Sequence, residues 1–296
     1  MKILVTGAAG FIGSGIAKRL AETDHDVILT DIRMPDDLYG HAYTYADLTD
    51  KSTVDALPDV DIVYHLCAYN NTTHFYERPY SVLDATLTPT IYLLDRYKNV
   101  KKFIYASSSE IYAGAVQLGL VSIPTNETNI GVINDLENPR WSYAGSKMMG
   151  EIAVKAANVE FGTEYLIVRY HNVYGKNQVA HFIPEYAERV KAGDNILYGA
   201  DQTRAFIYID DAADLTVKIA ENTNNTVVHI GNPIETKISE VAQIIRNIIK
   251  VNAEPEYKSA PAGSVDRRCA DVSKMISIVG EYNFTELEEG LRKTLL

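Results

Sequence analysis

Near the middle of the chain, two groups have the types and spacing of a proton-transfer apparatus. In Trp141-Ser-Tyr143-Ala-Gly-Ser-Lys147 a phenol and an ammonium stand four residues apart, which on a helix puts them on one face. A lysine cation beside a phenol lowers its pKa from about 10, and a cationic cofactor would lower it further. A tyrosinate formed this way takes a proton from a hydroxyl while hydride leaves the same carbon. Tyr-x-x-x-Lys alone arises by chance on many helices. Ser107-Ser-Ser-Glu110 adds hydroxyls and a carboxylate directly after the apolar run Lys102-Phe-Ile-Tyr-Ala106, although serines at a strand end often do no more than cap a loop.

Such groups need a scaffold, and the first thirteen residues supply its start. Ile3, Leu4 and Val5 form a short β-type run, Gly7, Gly10 and Gly13 follow at spacing three, and an amphipathic pattern begins at Ile12. Strand, tight turn and helix in that order suit a dinucleotide: glycine permits close backbone approach, and free N–H groups at the helix start receive a pyrophosphate. A purely structural glycine turn is the competing reading. Val27-Ile-Leu-Thr-Asp31 weighs against it, being a second strand that ends in a carboxylate about twenty residues past the glycines, where ribose hydroxyls are held and a 2′-phosphate is repelled. That favours NAD over NADP, with Arg33 close enough to weaken the preference. Asp47-Leu48 is expected near the adenine.

Strand signals at 61–67 and 102–106, separated by helical patterns, imply a parallel sheet covered on both faces. The expected fold class is α/β, a Rossmann-type doubly wound parallel sheet with a smaller C-terminal domain. Helical patterns cover 79–97, interrupted by Pro89, and then 141–161 and 181–190. Asp210 is expected to cap a helix reaching residue 220, and a strongly apolar helix spans 238–249. Residues 123–140 read as loop.

The chain has 296 residues, 46% of them apolar, and a net charge of −11, which disfavours nucleic acid and anionic membrane as partners. No apolar run approaches the ~20 residues of a membrane span, and a first strand starting at Met1 leaves no room for a signal peptide. Cys67 and Cys269 are too few for a disulfide framework or a zinc site. No metal and a cytoplasmic location are expected.

Thr6-Gly-Ala-Ala-Gly-Phe-Ile-Gly13, His65-Leu-Cys-Ala68, Ser107-Ser-Ser-Glu110, Tyr143-x-x-x-Lys147 and Arg169-Tyr-His-Asn-Val-Tyr-Gly175 together resemble the ordered motifs of extended short-chain dehydrogenase/reductases, the nucleotide-sugar epimerases, dehydratases and decarboxylases. The likeness continues in Gln202-Thr-Arg-Ala-Phe-Ile-Tyr-Ile-Asp-Asp211 and Asp266-Arg-Arg-Cys-Ala-Asp-Val-Ser-Lys274. It implies an NAD-binding domain over residues 1–174 and a mainly substrate-binding domain over 175–296, with part of 201–231 returning to the first. It further implies that Gly7, Gly10, Phe11, Ile12 and Gly13 cradle the NAD pyrophosphate, that Asp31 holds the ribose, that Asp47 and Leu48 flank the adenine, and that Ala68 lines the cofactor channel. Tyr143, Lys147 and Ser108 match the catalytic groups, with Lys147 also reaching the nicotinamide ribose. Asn172, Arg204 and Arg268, joined by Arg267, match the grip on a nucleotide diphosphate; a UDP-sugar is the expected substrate.

The chain departs from the family pattern in three places. Thr86-Leu-Thr-Pro-Thr90 stands where Asn-x-x-Gly-Thr is usual, so Pro89 should kink its helix. His171 replaces the more usual Phe, and Lys176 a frequent Pro. The shared first step of the family is removal of the sugar 4-hydroxyl proton with loss of hydride from C4. Ser109-Glu110 bears on the fate of the resulting 4-keto sugar. C4 epimerisation of a nucleotide-linked hexose is the leading reading; a decarboxylase or 4,6-dehydratase using Glu110 is the alternative, and a non-catalytic dinucleotide sensor the remote one. A homodimer is expected through the helices at 81–97 and 143–161, with Met148, Met149 and Ile152 shared between core and partner.

Overall fold

The computed structural model describes residues 1–260 and 264–296, apart from the side chain of Thr72. The chain opens with β1 (Lys2–Thr6), α1 (Phe11–Leu20), β2 (Asp26–Asp31), β3 (Ala42–Tyr45), α2 (Lys51–Asp55) and β4 (Ile62–His65). It continues through α3 (Thr72–Glu77), α4 (Pro79–Arg96), β5 (Lys102–Ser108), a single 3₁₀ turn (Ser109–Tyr112), α5 (Ala113–Gln117), α6 (Trp141–Phe161) and β6 (Glu164–Tyr170). The second half holds β7 (Val173–Tyr174), α7 (Phe182–Lys191), β8 (Ile196–Tyr198), β9 (Thr203–Ala205), β10 (Ile207–Tyr208), α8 (Ile209–Asn222) and β11 (Thr226–Ile230). It ends with β12 (Glu235–Lys237), α9 (Ile238–Ile249), β13 (Glu256–Lys258), β14 (Arg267–Arg268), α10 (Ser273–Val279) and α11 (Leu287–Leu295).

Seven strands form one sheet in the order β3-β2-β1-β4-β5-β6-β11, every pair parallel. Strands buried on both faces must be apolar throughout, and Leu4, Val5, Leu29, Val63, Phe103, Leu166 and Val168 are all at or near zero exposure. One apolar layer packs α1 and α8 against the sheet through Ile16, Leu20, Leu215 and Ile219. The opposite layer holds Leu93, Leu94, Val154 and Ala157 of α4 and α6. The strand order turns back between β1 and β4, and parallel sheets bind ligands beyond the strand ends at such a switch point. Three small sheets, β7 with β10, β12-β9-β14, and β8 with β13, lie in the second half of the chain.

Two local expectations need correction. α4 runs unbroken through Pro89; Pro89 is buried, and the Thr90 hydroxyl donates to the Thr86 carbonyl one turn back at 3.0 Å. Asp210 is not a cap: β10 runs directly into α8, Tyr208 occupies the cap position, and the Asp210 carboxylate pairs with Lys18 of α1 at 2.9 Å.

Candidate active site

β1 ends at Thr6 and the chain turns at Gly7, whose φ of +68° favours glycine. A Cβ on Gly7 would lie 2.7 Å from the Cys67 backbone nitrogen just beyond β4, and one on Gly13 would lie 2.1 Å from the Gly7 carbonyl oxygen. The turn is closed by Gly10 N–H donating to Gly7 O at 3.0 Å. No side chain caps α1 behind Gly10, and its first turn carries no acidic residue. The opening N–H groups of α1, among them those of Phe11, Ile12 and Gly13, together with the positive end of the helix dipole, fit an anionic diphosphate.

At the end of β2, Asp31 accepts from the N–H groups of Ala9 at 3.0 Å and Arg33 at 3.1 Å. The carboxylate is thereby fixed beside the glycine turn. The Arg33 guanidinium donates to Ala9 O at 3.3 Å, so a cation also borders this corner. Asp47 accepts from the Thr49 N–H and hydroxyl at 2.9 and 2.7 Å. The Leu48 side chain is buried in the apolar layer under the sheet, leaving only its backbone to face an adenine. Ala68, just past β4, packs with Phe75, Val82 and Tyr143.

Tyr143 and Lys147 lie on the first turns of α6, both buried. The Lys147 ammonium donates to Ala106 O of β5 at 2.6 Å and sits 6.0 Å from the Tyr143 ring centre. Ser108, the last residue of β5, is near enough to the Tyr143 phenol to oppose its upward shift, and its Oγ accepts from Glu110 N–H at 3.2 Å. Phe75 of α3 stacks on Tyr143, with centres 5.0 Å apart and planes 10° from parallel. Sequence reasoning did not find Phe75; it sits in a helix of one and a half turns, too short to display a period.

In the protein alone, burial dominates the electrostatics of this pair. Burial raises the Tyr143 phenol well above its ordinary value, against the opposing pull of the Ser108 hydrogen bond. Burial also brings Lys147 down to about 8, with Cys67 and Glu151 pulling the other way. In the protein alone the phenol therefore stays protonated; the lowering expected from Lys147 together with a cationic nicotinamide concerns the cofactor-loaded site.

Glu110 lies in the 3₁₀ turn and is held from two sides. Its Oε1 pairs with Arg268 at 2.5 Å and its Oε2 with Arg140 at 3.3 Å. Burial alone would raise this carboxyl, but the two guanidinium groups outweigh it and hold it below the usual carboxylate range. Arg140 immediately precedes the Trp141 that opens α6; in the sequence it stands out only as part of Asn138-Pro-Arg-Trp-Ser-Tyr143, a segment resembling that before the catalytic Tyr of some UDP-glucuronate decarboxylases, with no role of its own.

The three expected diphosphate arginines are brought together only in part. β14 pairs with β9 so that Arg268 lies opposite Arg204. Arg204 donates to the carbonyls of Thr203 and Val265 at 2.7 and 2.8 Å, and burial with the nearby Arg268 charge lowers it to about 10. Successive side chains on a strand alternate faces, and the Arg267 guanidinium is turned to Glu235 at 2.5 Å, half exposed. Asn172 takes a left-handed backbone, φ +41°, and donates to Ala205 O at 2.9 Å. Ser109 is buried in the 3₁₀ turn.

A buried ion pair braces α6. Arg169 of β6 grips both oxygens of Glu151 at 2.8 and 2.6 Å, and Ser107 of β5 donates to the same carboxylate at 2.5 Å. Glu151 is one helical turn beyond Lys147, so the pair locks α6 to the two strands that end at Ser108 and Tyr170. Nothing in local spacing announces it, because the partners come from three separate elements.

Among the described residues no helix is long and apolar enough to cross a membrane, and no group of three His, Cys, Asp or Glu side chains could hold a metal ion. Comparisons with known proteins agree with the geometry. The model of the NAD dependent epimerase/dehydratase family matches residues 3–231. The chain is 33% identical to a Methanocaldococcus jannaschii protein named "Putative UDP-glucose 4-epimerase", over 99% of this chain and 97% of that one. It is 29% identical to the UDP-N-acetyl-alpha-D-glucosaminuronate decarboxylase of Bacillus cytotoxicus, over 99% and 96%. Among solved structures, the UDP-glucose 4-epimerase of Thermotoga maritima with UDP-glucose superposes with a TM-score of 0.88 at 26% identity, covering 100% of this chain and 97% of that one. The chain therefore belongs to the NAD-dependent epimerase/dehydratase family and is an NAD-dependent enzyme of nucleotide-sugar chemistry.

Proposed function

We propose that the protein is a 4-epimerase of a UDP-linked hexose. NAD⁺, when bound, accepts the hydride from C4 of the sugar and returns it. The open start of α1, with Gly7, Gly10, Phe11, Ile12 and Gly13, holds its pyrophosphate; Asp31 takes the adenosine ribose, Asp47 and the Leu48 backbone border the adenine, and Ala68 lines the channel. Tyr143 removes and restores the 4-hydroxyl proton, Ser108 steadies the same oxygen, and Lys147 supplies positive charge beside the phenol. Asn172, Arg204 and Arg268 face the diphosphate, for which guanidinium is well suited; Arg267 has a lesser part because it alternates to the other face of β14, half exposed beside Glu235.

Glu110 carries the choice of outcome. A dehydratase needs a carboxylate free to take the C5 proton, whereas both oxygens of Glu110 are engaged by arginines and its basicity is depressed. That supports a structural role for Glu110, with Ser109 beside it, and favours epimerisation, in which the keto sugar only turns and takes hydride on its other face. Decarboxylase relatives such as that of Bacillus cytotoxicus keep loss of C6 as the second outcome to test. Incubation with UDP-glucose, UDP-N-acetylglucosamine and UDP-glucuronate, read by mass and NMR, separates these outcomes. An epimer has unchanged mass, a dehydration product has lost water, and a decarboxylation product has lost carbon dioxide.

The outer faces of α4 and α6 support a homodimer. Tyr80, Leu83 and Ile91 on α4 and Met149, Ile152 and Val159 on α6 are exposed apolar side chains on neighbouring helices. Such a surface is what a second copy of the pair would cover. Met148 is only half-buried, and it is Met149 and Ile152 that face outward.

A further inference from the structure

Tyr143 has a neighbour that the C4 chemistry leaves unexplained. Phe75 of α3 lies flat on the phenol, with ring centres 5.0 Å apart and planes 10° from parallel, within the range at which aromatic rings pack offset. Both rings are buried, and Ala68, Tyr69 and Val82 close the cluster around them. A helix of six residues is too short to hold its place unaided, and α3 is tied down at several points. The Asn71 side chain accepts from Thr73 N–H at 3.0 Å, and Asn71 O accepts from the N–H of Phe75 itself at 3.2 Å. Just ahead of the helix, Tyr69 N–H donates to the Thr86 hydroxyl of α4 at 3.3 Å, and the Tyr69 ring packs on His74 with centres 5.0 Å apart. Thr86 stands where the family pattern has Asn, and its hydroxyl serves to hold the segment that leads into α3.

A ring packed on one face of the phenol blocks its displacement toward α3 and keeps water from that face. The polar and charged groups around the phenol come from other elements: Lys147 one turn along α6, Ser108 and Tyr105 of β5, and Glu110 of the 3₁₀ turn. To the cluster around it α3 and α4 bring the apolar Phe75 and Val82, and the segment before α3 brings Ala68 and Tyr69. Phe75 therefore governs the freedom and the hydration of the phenol without adding a charge beside it. Close-packed interiors refill only in part when a large side chain is cut back, so truncating Phe75 opens space directly against the phenol.

Resting on the reading of Tyr143 as the acid–base group above, we propose that Phe75 is a positioning residue of the reaction, whose ring holds the phenol at the end of β5 and keeps water off one face, so that the phenol oxygen meets the sugar hydroxyl in a fixed geometry. Proton transfer tolerates little misplacement, about 1 Å costing ~100-fold in rate. Phe75 acts through Tyr143 and needs no contact of its own with the substrate.

The test is the pH dependence of steady-state turnover by the NAD-loaded protein, on whichever of UDP-glucose, UDP-N-acetylglucosamine and UDP-glucuronate it converts, for wild type, Phe75→Ala and Phe75→Leu. Phe75→Ala is expected to lower kcat and kcat/KM together by ~10- to 100-fold with KM almost unchanged. It is also expected to move the acid limb of kcat to lower pH by about one pH unit, because burial is what raises the phenol and less of it remains. Phe75→Leu restores an apolar cover without a flat ring; it should recover part of both effects, and it carries the test alone should the Ala variant not fold. A lower Tm with kcat and its pH profile unaltered reduces Phe75 to packing and overturns the proposal. A raised KM with kcat unaltered makes it a substrate contact and overturns the proposal equally. Should wild type convert none of the three sugars, the epimerase reading falls, and Phe75 is decided separately by ¹³C NMR of NAD-loaded protein labelled at tyrosine Cζ, where the Tyr143 signal is the one missing from Tyr143→Phe. Titration of that signal at lower pH in Phe75→Ala sustains Phe75 as the cover of the phenol, and titration at the wild-type pH overturns it.

Discussion

Replacing Glu110 by Gln separates the carboxylate's electrostatic role from any chemical one. Glu110 is a partly buried anion between two cations, with its oxygens 2.5 Å from Arg268 and 3.3 Å from Arg140. The amide is nearly isosteric, yet it can offer an acceptor to only one guanidinium and turns its NH₂ donors on the other. Hydrogen bonds to charged groups contribute about 1.5–3 kcal/mol, and with the residual exposure of the site a net loss of roughly 2 kcal/mol is expected. For a chain of 296 residues that lowers Tm by about 3 °C. The pH dependence has a definite sign. The folded carboxyl is depressed, so the stability it contributes is complete above the ordinary glutamate pKa of about 4.3 and is lost as pH falls through the depressed folded value. The gap between wild type and variant should therefore be full at neutral pH and narrow under acid, as measured by thermal unfolding with circular dichroism. Turnover by the folded variant should stay within a few-fold of wild type. An unchanged Tm would refute the electrostatic reasoning. A large loss of product, with reduced-nicotinamide absorbance building up on the enzyme, would refute the structural role and promote elimination or decarboxylation.

The same geometry sets three further expectations. Tyr143→Phe should fold and bind NAD while turnover drops ~10²–10⁴-fold, the contribution of a general acid–base group; retention of a tenth of wild-type activity counts against it. In Gly13→Ala the new methyl meets the Gly7 carbonyl at 2.1 Å, so NAD affinity measured by titration should fall at least tenfold, whereas unchanged affinity would mean the glycine turn is not the cofactor cradle. Met149→Lys with Ile152→Lys should shift sedimentation from dimer to monomer at micromolar concentration; a wild type that is already monomeric would dispose of the dimer.

The scaffold was legible because its signals are local. Strand, glycines and helix start succeed one another within thirteen residues, and Tyr143 and Lys147 share one turn of a helix whose bounds, Trp141–Phe161, match the apolar pattern. What escaped was long-range. Glu110 and Arg268 are 158 residues apart, and no spacing rule connects a 3₁₀ turn with a two-residue strand in the other half of the chain. Likewise the Glu151–Arg169–Ser107 brace joins three elements. Asp210 misled because an acidic residue at a helix start usually caps it, whereas here the preceding strand enters the helix without a break and Lys18 claims the carboxylate. The burial that raises the Tyr143 phenol in the protein alone was not legible either, because a sequence does not display it.

If Tyr143 supports oxidation at C4 of a UDP-linked hexose and the hydride returns to the opposite face, the sugar itself must change configuration. Purified NAD-loaded protein supplied with UDP-glucose or UDP-N-acetylglucosamine, monitored by ¹H NMR of the sugar, tests this without an intermediate assumption. The expected result is a second anomeric signal, that of the C4 epimer, growing to a fixed equilibrium ratio at unchanged mass and absent in Tyr143→Phe. Conversion only of UDP-glucuronate with loss of carbon dioxide, or the same epimer forming at wild-type rate in the Phe variant, would contradict it.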